Sequence, residues 1–204
     1  MTSKITTIAT IVLLILSAGC SVQRQPAPER TQFLLNLSPD YKADIVRLSH
    51  PIRLRSFRAQ APFSGTALVY RSGEVTFEKD HYNRFFIAPD QQLDNALPHW
   101  LKPDDTTEQK TEDKMLMLQP SLEALYADFQ TPSEPNAYAR LRFVLTRRDH
   151  STGRDKIIMD ETFEAKADLA PNPTAEEVVK AMSQAARKCL LQSTVQLSRK
   201  TAEI

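Results

Sequence analysis

Between Tyr138 and Arg147 apolar and polar positions alternate strictly, with Ala139, Leu141, Phe143 and Leu145 on one side and Arg140 and Arg142 on the other. A period of two marks a strand with one dry face. Ile157–Ala165 repeats the pattern, placing Ile157, Met159, Phe163 and Ala165 together, after a polar turn around His150–Asp155. The two segments are expected to pair antiparallel. Pro51 opens a further alternation over Ile52–Phe57. Ala67–Arg71 and Glu74–Glu78 are β-favouring runs around Ser72-Gly73, which predicts a hairpin whose glycine supplies a positive φ. The second arm continues through Asp80–Phe86 and stops before Pro89. Thr31–Leu37 is a short apolar run consistent with a first strand, and Ser38–His50 fits either a strand or a loop.

Helical spacing appears in three places. Leu93, Leu97, Trp100 and Leu101 recur at turn intervals within Asp90–Leu101, where Pro98 is expected to kink or shorten the helix. Met115–Gln130 is ambiguous: Leu118, Leu122, Leu125, Tyr126 and Phe129 form a helical stripe, whereas Met115 and Met117 alternate like a strand. The pattern slightly favours a helix over Leu122–Phe129. After the break at Pro171-Asn172-Pro173, Thr174-Ala175-Glu176-Glu177 reads as a capping box. Val178, Ala181, Met182, Ala185, Cys189 and Leu190 then give a long final helix one apolar face. Lys102–Lys114 carries charge and no apolar residue, and is expected to be a loop. No internal repeat and no second domain are visible.

The N-terminal stretch carries a different message. One cation, Lys4, precedes the apolar run Ile8–Leu16 and then Ser17-Ala18-Gly19-Cys20. The run is shorter than the roughly 20 residues a spanning helix needs, and its small-residue end is that of a cleavable signal. Leu16–Cys20 resembles a bacterial lipobox, with Ser17 where leucine is commonest. That resemblance implies removal of residues 1–19 and acylation of Cys20, the lipid anchor. Ser21 after the cysteine implies the outer membrane, periplasmic face, as the destination. Ser21–Arg30, with Pro26 and Pro28, reads as an extended tether. Residues 20–30 thus form an acylated tether and 31–204 the folded domain.

Composition narrows the chemistry. Lysine plus arginine number 26 against 25 acids, and loss of Lys4 leaves the mature charge at zero. A neutral chain with no basic block argues against a nucleic-acid partner. Only four glycines occur, at 19, 65, 73 and 153, too scattered for a phosphate-cradling loop or dinucleotide fingerprint. With Cys20 acylated, Cys189 has no partner within the chain, so a core must hold the fold. His50, His81, His99 and His150 are dispersed, and no serine sits in a Gly-x-Ser-x-Gly elbow. No metal, cofactor or catalytic set is expected, and the protein reads as a non-enzyme.

The middle of the chain resembles the ABC-type transport auxiliary lipoproteins, the group that includes PqiC-like proteins. The resemblance is carried by Thr66-Ala67-Leu68-Val69-Tyr70-Arg71, by Tyr82-Asn83-Arg84-Phe85, and by Pro89 through Trp100-Leu101. It continues more loosely in Leu125-Tyr126-Ala127-Asp128-Phe129 and Ala139–Leu145, and spans roughly Phe33 to Leu197. It implies a single α/β domain of the α+β kind, mostly antiparallel, with helices on one face and a long C-terminal helix. It also implies a strand, not a helix, over Leu122–Phe129. Functionally it implies an accessory lipoprotein of an intermembrane lipid transport system. Its partners would be an MCE-domain periplasmic protein and an inner-membrane ABC transporter complex, with a homo-oligomeric ring as one arrangement.

Tyr70, Arg71, Tyr82, Asn83, Arg84 and Trp100 are the candidate partner-binding residues, since tyrosine, tryptophan and arginine dominate binding hot spots. The structural alternative is that Tyr70 and Tyr82 pack across the hairpin while Asn83 and Arg84 make local hydrogen bonds. Trp100 beside Leu101 reads first as core and otherwise as a subunit-contact anchor. The competing functional class is an outer-membrane assembly or cell-wall-regulator lipoprotein unrelated to lipid transport.

Overall fold

The alternation along β9 (Asn136–Asp149) organises the whole molecule: Ala137, Ala139, Leu141, Phe143 and Leu145 are all completely buried. In the computed structural model, which describes residues 30–103, 115–149 and 152–204, β9 lies between β8 (Leu116–Asp128) and β10 (Arg154–Asp168), antiparallel to both. The segment 1–20 with Cys20, the tether up to residue 29, most of the charged loop, and His150 lie outside the described residues. The other strands are β1 (Thr31–Phe33), β2 (Val46–Leu48), β3 (Ile52–Leu54), β4 (Arg58–Ala59), β5 (Ala67–Arg71), β6 (Phe77–Phe85) and β7 (Leu101–Pro103). The helices are α1 (Pro89–Trp100) and α2 (Ala175–Ala202).

The architecture is α+β. One mixed sheet runs in the order β1-β6-β5-β8-β9-β10, with β3 and β4 also on β8, and β2 and β7 form a separate parallel pair. The long ladders are antiparallel, whereas the short pairings β1–β6, β3–β8, β4–β8 and β5–β8 are parallel. Both helices cover the same face. The strand implied over Leu122–Phe129 is present as the end of β8, and the helical stripe read there is coincidental. A β-bulge between Leu122 and Ala124 shifts the phase of the strand, so Leu125 turns inward where strict alternation would turn it out. That shift makes a bent strand imitate a helix.

Helix α2 closes the core. Its capping box forms as expected: Thr174 Oγ1 accepts from the Glu177 N–H at 3.3 Å, and the Glu177 carboxylate accepts from the Thr174 N–H at 2.7 Å. All six residues of the expected apolar face are buried, together with Ala186, Ser193 and Leu197. Cys189 lies against β9, its Sγ 3.5 Å from the Ala139 carbonyl, and the small side chains of Ala181 and Ala185 are buried along the same helix. α2 also binds the early chain: Ser183 Oγ accepts from the Asn36 N–H, Arg187 pairs with Asp40, and Ser198 Oγ donates to the Arg47 carbonyl.

Helix α1 begins with proline at a first-turn position, where its missing N–H costs nothing. It runs through Pro98 to Trp100, so the expected shortening at Pro98 does not occur, and Leu101 passes into β7. Trp100 is buried and donates Nε1–H to the Leu37 carbonyl at 2.8 Å. This fixes it as core and removes it from any contact surface.

Three further expectations need correction. The first strand ends at Phe33, and Leu35 and Leu37 enter the core from extended chain. The β5–β6 connection is the five-residue loop Ser72–Thr76, closed by the Ser72 N–H to the Thr76 carbonyl, so the second arm starts at Phe77. Gly73 does not take a positive φ; that conformation occurs at Gly153, φ +67°, in the β9–β10 turn. Finally, a bulge between Ile157 and Met159 leaves Ile157 exposed although Met159 is buried.

Leu141→Ala removes a completely buried side chain from the middle of β9. It is expected to destabilise the domain by about 2–5 kcal/mol in urea unfolding, with no change in far-ultraviolet circular dichroism of the folded state.

Candidate functional site

Strand geometry separates the hairpin candidates. Successive side chains of β5 point to opposite faces. Tyr70 turns toward the helix-covered side, edge-on to Phe129 at 5.9 Å. Arg71 turns to the other face, where it meets Asp128 at 3.4 Å, donates to the Gly73 and Glu74 carbonyls, and lies over the Phe77 ring. Its guanidinium is engaged in closing the β5–β6 loop. Tyr70 and Arg71 therefore do not share a surface.

The Tyr82-Asn83-Arg84 box is built around a residue the sequence did not single out, Asp80. Ala67 pairs with Arg84 but Val69 pairs with Lys79, so residues 80–83 bow out of β6. Asp80 holds that bow. Its carboxylate accepts from the Tyr82 N–H at 2.8 Å, the Asn83 N–H and Asn83 Nδ2 at 2.9 Å each, and the Tyr70 hydroxyl at 2.9 Å. Partial burial works to raise the Asp80 carboxyl, but the hydrogen bonds from Asn83, Tyr82 and Tyr70 outweigh it and hold it below the usual range. The same arrangement raises Tyr70, mainly through burial and then through the Asp80 bond. The Asp-x-x-Asn spacing is the one signal that could have pointed here, because aspartate readily binds backbone N–H groups two and three residues on.

What remains available to a partner is Tyr82, half exposed on the bow. Thr31 of β1 pairs with Asn83 beside it, and just beyond this ladder Leu34 and Phe86 stand exposed, with the Phe86 N–H bound to the Phe33 carbonyl. Leu34, Phe86 and Tyr82 line the β1–β6 edge. Leu34 falls within the apolar run Thr31–Leu37, which the sequence marks only as a first strand. Arg84 returns to the ladder opposite Gln32 and Ala67, and its Nε is buried with no hydrogen-bond partner.

The uncovered face of the sheet carries a second, smaller cluster of Phe63, Val69, Ala124 and Tyr126, backed by Tyr138. Beside it Arg142 makes two 2.7 Å bonds to Asp160, and Arg140 pairs with Glu164. Hydrogen bonds from Tyr138 and Arg140 hold the Glu164 carboxyl low. His50, His81 and His99 are not brought together: His50 binds the Thr201 carbonyl through Nδ1 at 2.8 Å, while His81 lies on the bow and His99 at the end of α1. Among the described residues no three acids, histidines or cysteines group as metal ligands. Cys189 is buried, with its Sγ near the Phe163 carbonyl at 3.4 Å; burial, and then the charge of Glu164, push its thiol up to about 12.

Solved structures share this fold. Protein XCC0632 from Xanthomonas campestris, described by the family designation DUF330, aligns with a TM-score of 0.63 at 14% identity, over 85% of this chain and 98% of that one. A structure described only as an uncharacterized protein aligns at 0.51 and 14% identity, over 84% and 98%. The hypothetical protein CT253 from Chlamydia trachomatis aligns at 0.52 and 7% identity, over 76% and 99%. At these identities the likeness is one of fold. No protein-family model and no curated protein matches the chain.

Asp80→Asn is expected to lower stability by about 1–2 kcal/mol at neutral pH, because the charged acceptor of four donors is lost. A folded carboxyl held low stabilises fully above the unfolded value of about 4, and that contribution fades as pH falls through the folded value. The gap between wild type and variant in urea midpoint is therefore expected to narrow at pH 3; an equal gap at both pH values would remove the charge of Asp80 from the account. In a Cys20→Ala background, Cys189 is expected to resist Ellman's reagent until the chain is unfolded in guanidinium, since only the exposed thiolate reacts.

Proposed function

We propose that this protein is an outer-membrane-anchored, periplasm-facing accessory lipoprotein of an ABC/MCE-type intermembrane lipid transport system, acting by docking and not by catalysis. The observation that carries the reading is the lipobox-like Leu16–Cys20 segment in front of the motifs that resemble the auxiliary lipoproteins. More than one acyl chain is needed for stable anchoring, and diacylglyceryl attachment at Cys20 supplies it. An adaptor also needs a surface that a partner can cover. The β1–β6 edge, where Leu34, Phe86 and Tyr82 are exposed, suits that need and adjoins the point at which the tether meets the domain. The partner would be the MCE-domain protein of the conduit, with the ABC complex behind it.

Cys20→Ala is expected to move the protein from the membrane fraction to the soluble periplasmic fraction. Affinity capture from detergent-solubilised membranes is expected to recover an MCE-domain protein, and Tyr82→Ala combined with Phe86→Ser to reduce that recovery. Recovery of a lipopolysaccharide-insertion or cell-wall synthesis component in its place would move the protein to the competing class.

A further inference from the structure

The arginines of the uncovered sheet face divide into two groups. Arg140, Arg142 and Arg148 each have a carboxylate partner, Glu164, Asp160 and Asp155 respectively. Arg53, Arg55 and Arg58 have none among the described residues. Arg53 sits in β3 opposite Met117. Among the described residues, the only polar contact of the Arg55 guanidinium is the Met117 thioether, a weak acceptor, at 3.2 Å. All three side chains are exposed.

A backbone defect gathers them. β3 pairs with β8 at Leu116–Leu118 and β4 pairs with it at Ser121–Leu122, and between these lies Pro120, which has no N–H for a ladder bond. The chain leaves the sheet there. Phe57 dips into the core, its N–H bound to Asp94 at 2.5 Å, while Arg55, Ser56 and Arg58 stay outside. The gap is a groove of about 720 Å³ walled by Arg55, Arg58, Ser56 and Gln119, continuous through Arg55, Met117 and Asp155 with a second hollow of about 340 Å³ beside Arg53 and Arg148. Among the described residues Asp155 is the only carboxylate lining either, and Arg148 neutralises it at 3.1 Å.

We propose that this groove is a docking site for an extended acidic segment of a protein partner, held by Arg53, Arg55 and Arg58. The guanidinium fork matches a carboxylate two bonds at a time. From Arg53 to Arg58 the chain spans at most roughly 17 Å, and Arg53 and Arg55 are about 7 Å apart along it, the spacing of alternate residues in an extended peptide. The larger part of the groove is walled by polar side chains and offers no enclosed apolar chamber for an acyl chain. That favours a polypeptide over a phospholipid. The inference goes beyond the docking reading above: the groove is a different surface from the β1–β6 edge, and the site stands whether or not the partner belongs to a lipid transporter.

The test is fluorescence anisotropy of a labelled peptide of alternating glutamate and serine with the full-length protein in non-ionic detergent. Salt-sensitive binding is expected, weakened about tenfold or more by Arg53→Gln/Arg55→Gln/Arg58→Gln, with an alternating lysine–serine peptide not bound. The charge-matched Lys42→Gln/Lys79→Gln/Lys102→Gln variant is expected to bind as wild type does; equal weakening in both triple variants would reduce the effect to diffuse charge and overturn the proposal. Arginine-dependent capture by phosphatidylglycerol vesicles without peptide binding would overturn it in favour of a lipid headgroup. Binding seen only after the carboxylates of Asp104, Asp105, Glu108, Glu112 and Asp113 are converted to amides would assign the groove to the chain's own acidic segment and overturn it as well. Conduit capture is read separately, so the failure of either proposal leaves the other intact.

Discussion

The close contact between α2 and the β8–β9–β10 sheet is the constraint on which the remaining structure depends. A sheet with one dry face must bury it, and one 28-residue helix covers the long strands here. Alanine and cysteine at the crossing allow that approach, and larger side chains (Met182, Leu190 and Leu197 from the helix, Leu141 and Phe143 from the sheet) fill the flanks. The Cys189 thiol belongs to this contact. Cys189 is a small apolar group within it, and its raised pKa is a result of the packing. With the helical layer occupying one face, the opposite face is left to arginine–carboxylate pairs and a few aromatic rings.

The features of the surface come from places where the sheet departs from regularity. The Asp80 bow lifts Tyr82 away from β6, the Pro120 gap opens a groove under Arg55 and Arg58, and the bulge at Ile157 turns an apolar residue outward. Each irregularity is local, and each re-aims side chains that a straight strand would have placed elsewhere. Groups open to contact are presented through such departures, because the regular stretches are committed to the core.

Much of the architecture was legible in the sequence. Period-two alternation identified β9 and most of β10, and the Thr174–Glu177 box placed the start of α2 to the residue. Legibility failed where a bulge changed the phase of a strand. In β8 the shift after Leu122 brought Leu125, Tyr126 and Phe129 into a spacing that imitates a helix; in β10 it exposed Ile157. Trp100 was readable as core because it closes an apolar helical stripe. Among the candidate contact residues, identity alone could not reveal that Arg71 and Asn83 would be consumed by loop carbonyls and by Asp80. Pairwise geometry decides that, and it is absent from a linear pattern. The Arg53-Arg55-Arg58 row was visible as letters, yet nothing in the letters showed that no carboxylate among the described residues would pair with it.

The bonds from α2 to Asn36, Asp40, Arg47 and His50 join residues nearly 150 positions apart. A ribosome delivers the early partners first and the helix last. The segment from Asn36 to His50 therefore lacks these partners until the last helix has been made, and a nascent chain must keep Leu35, Leu37 and Leu48 from other company throughout that interval. Any truncation that removes part of this helix therefore also unseats the segment from Asn36 to His50.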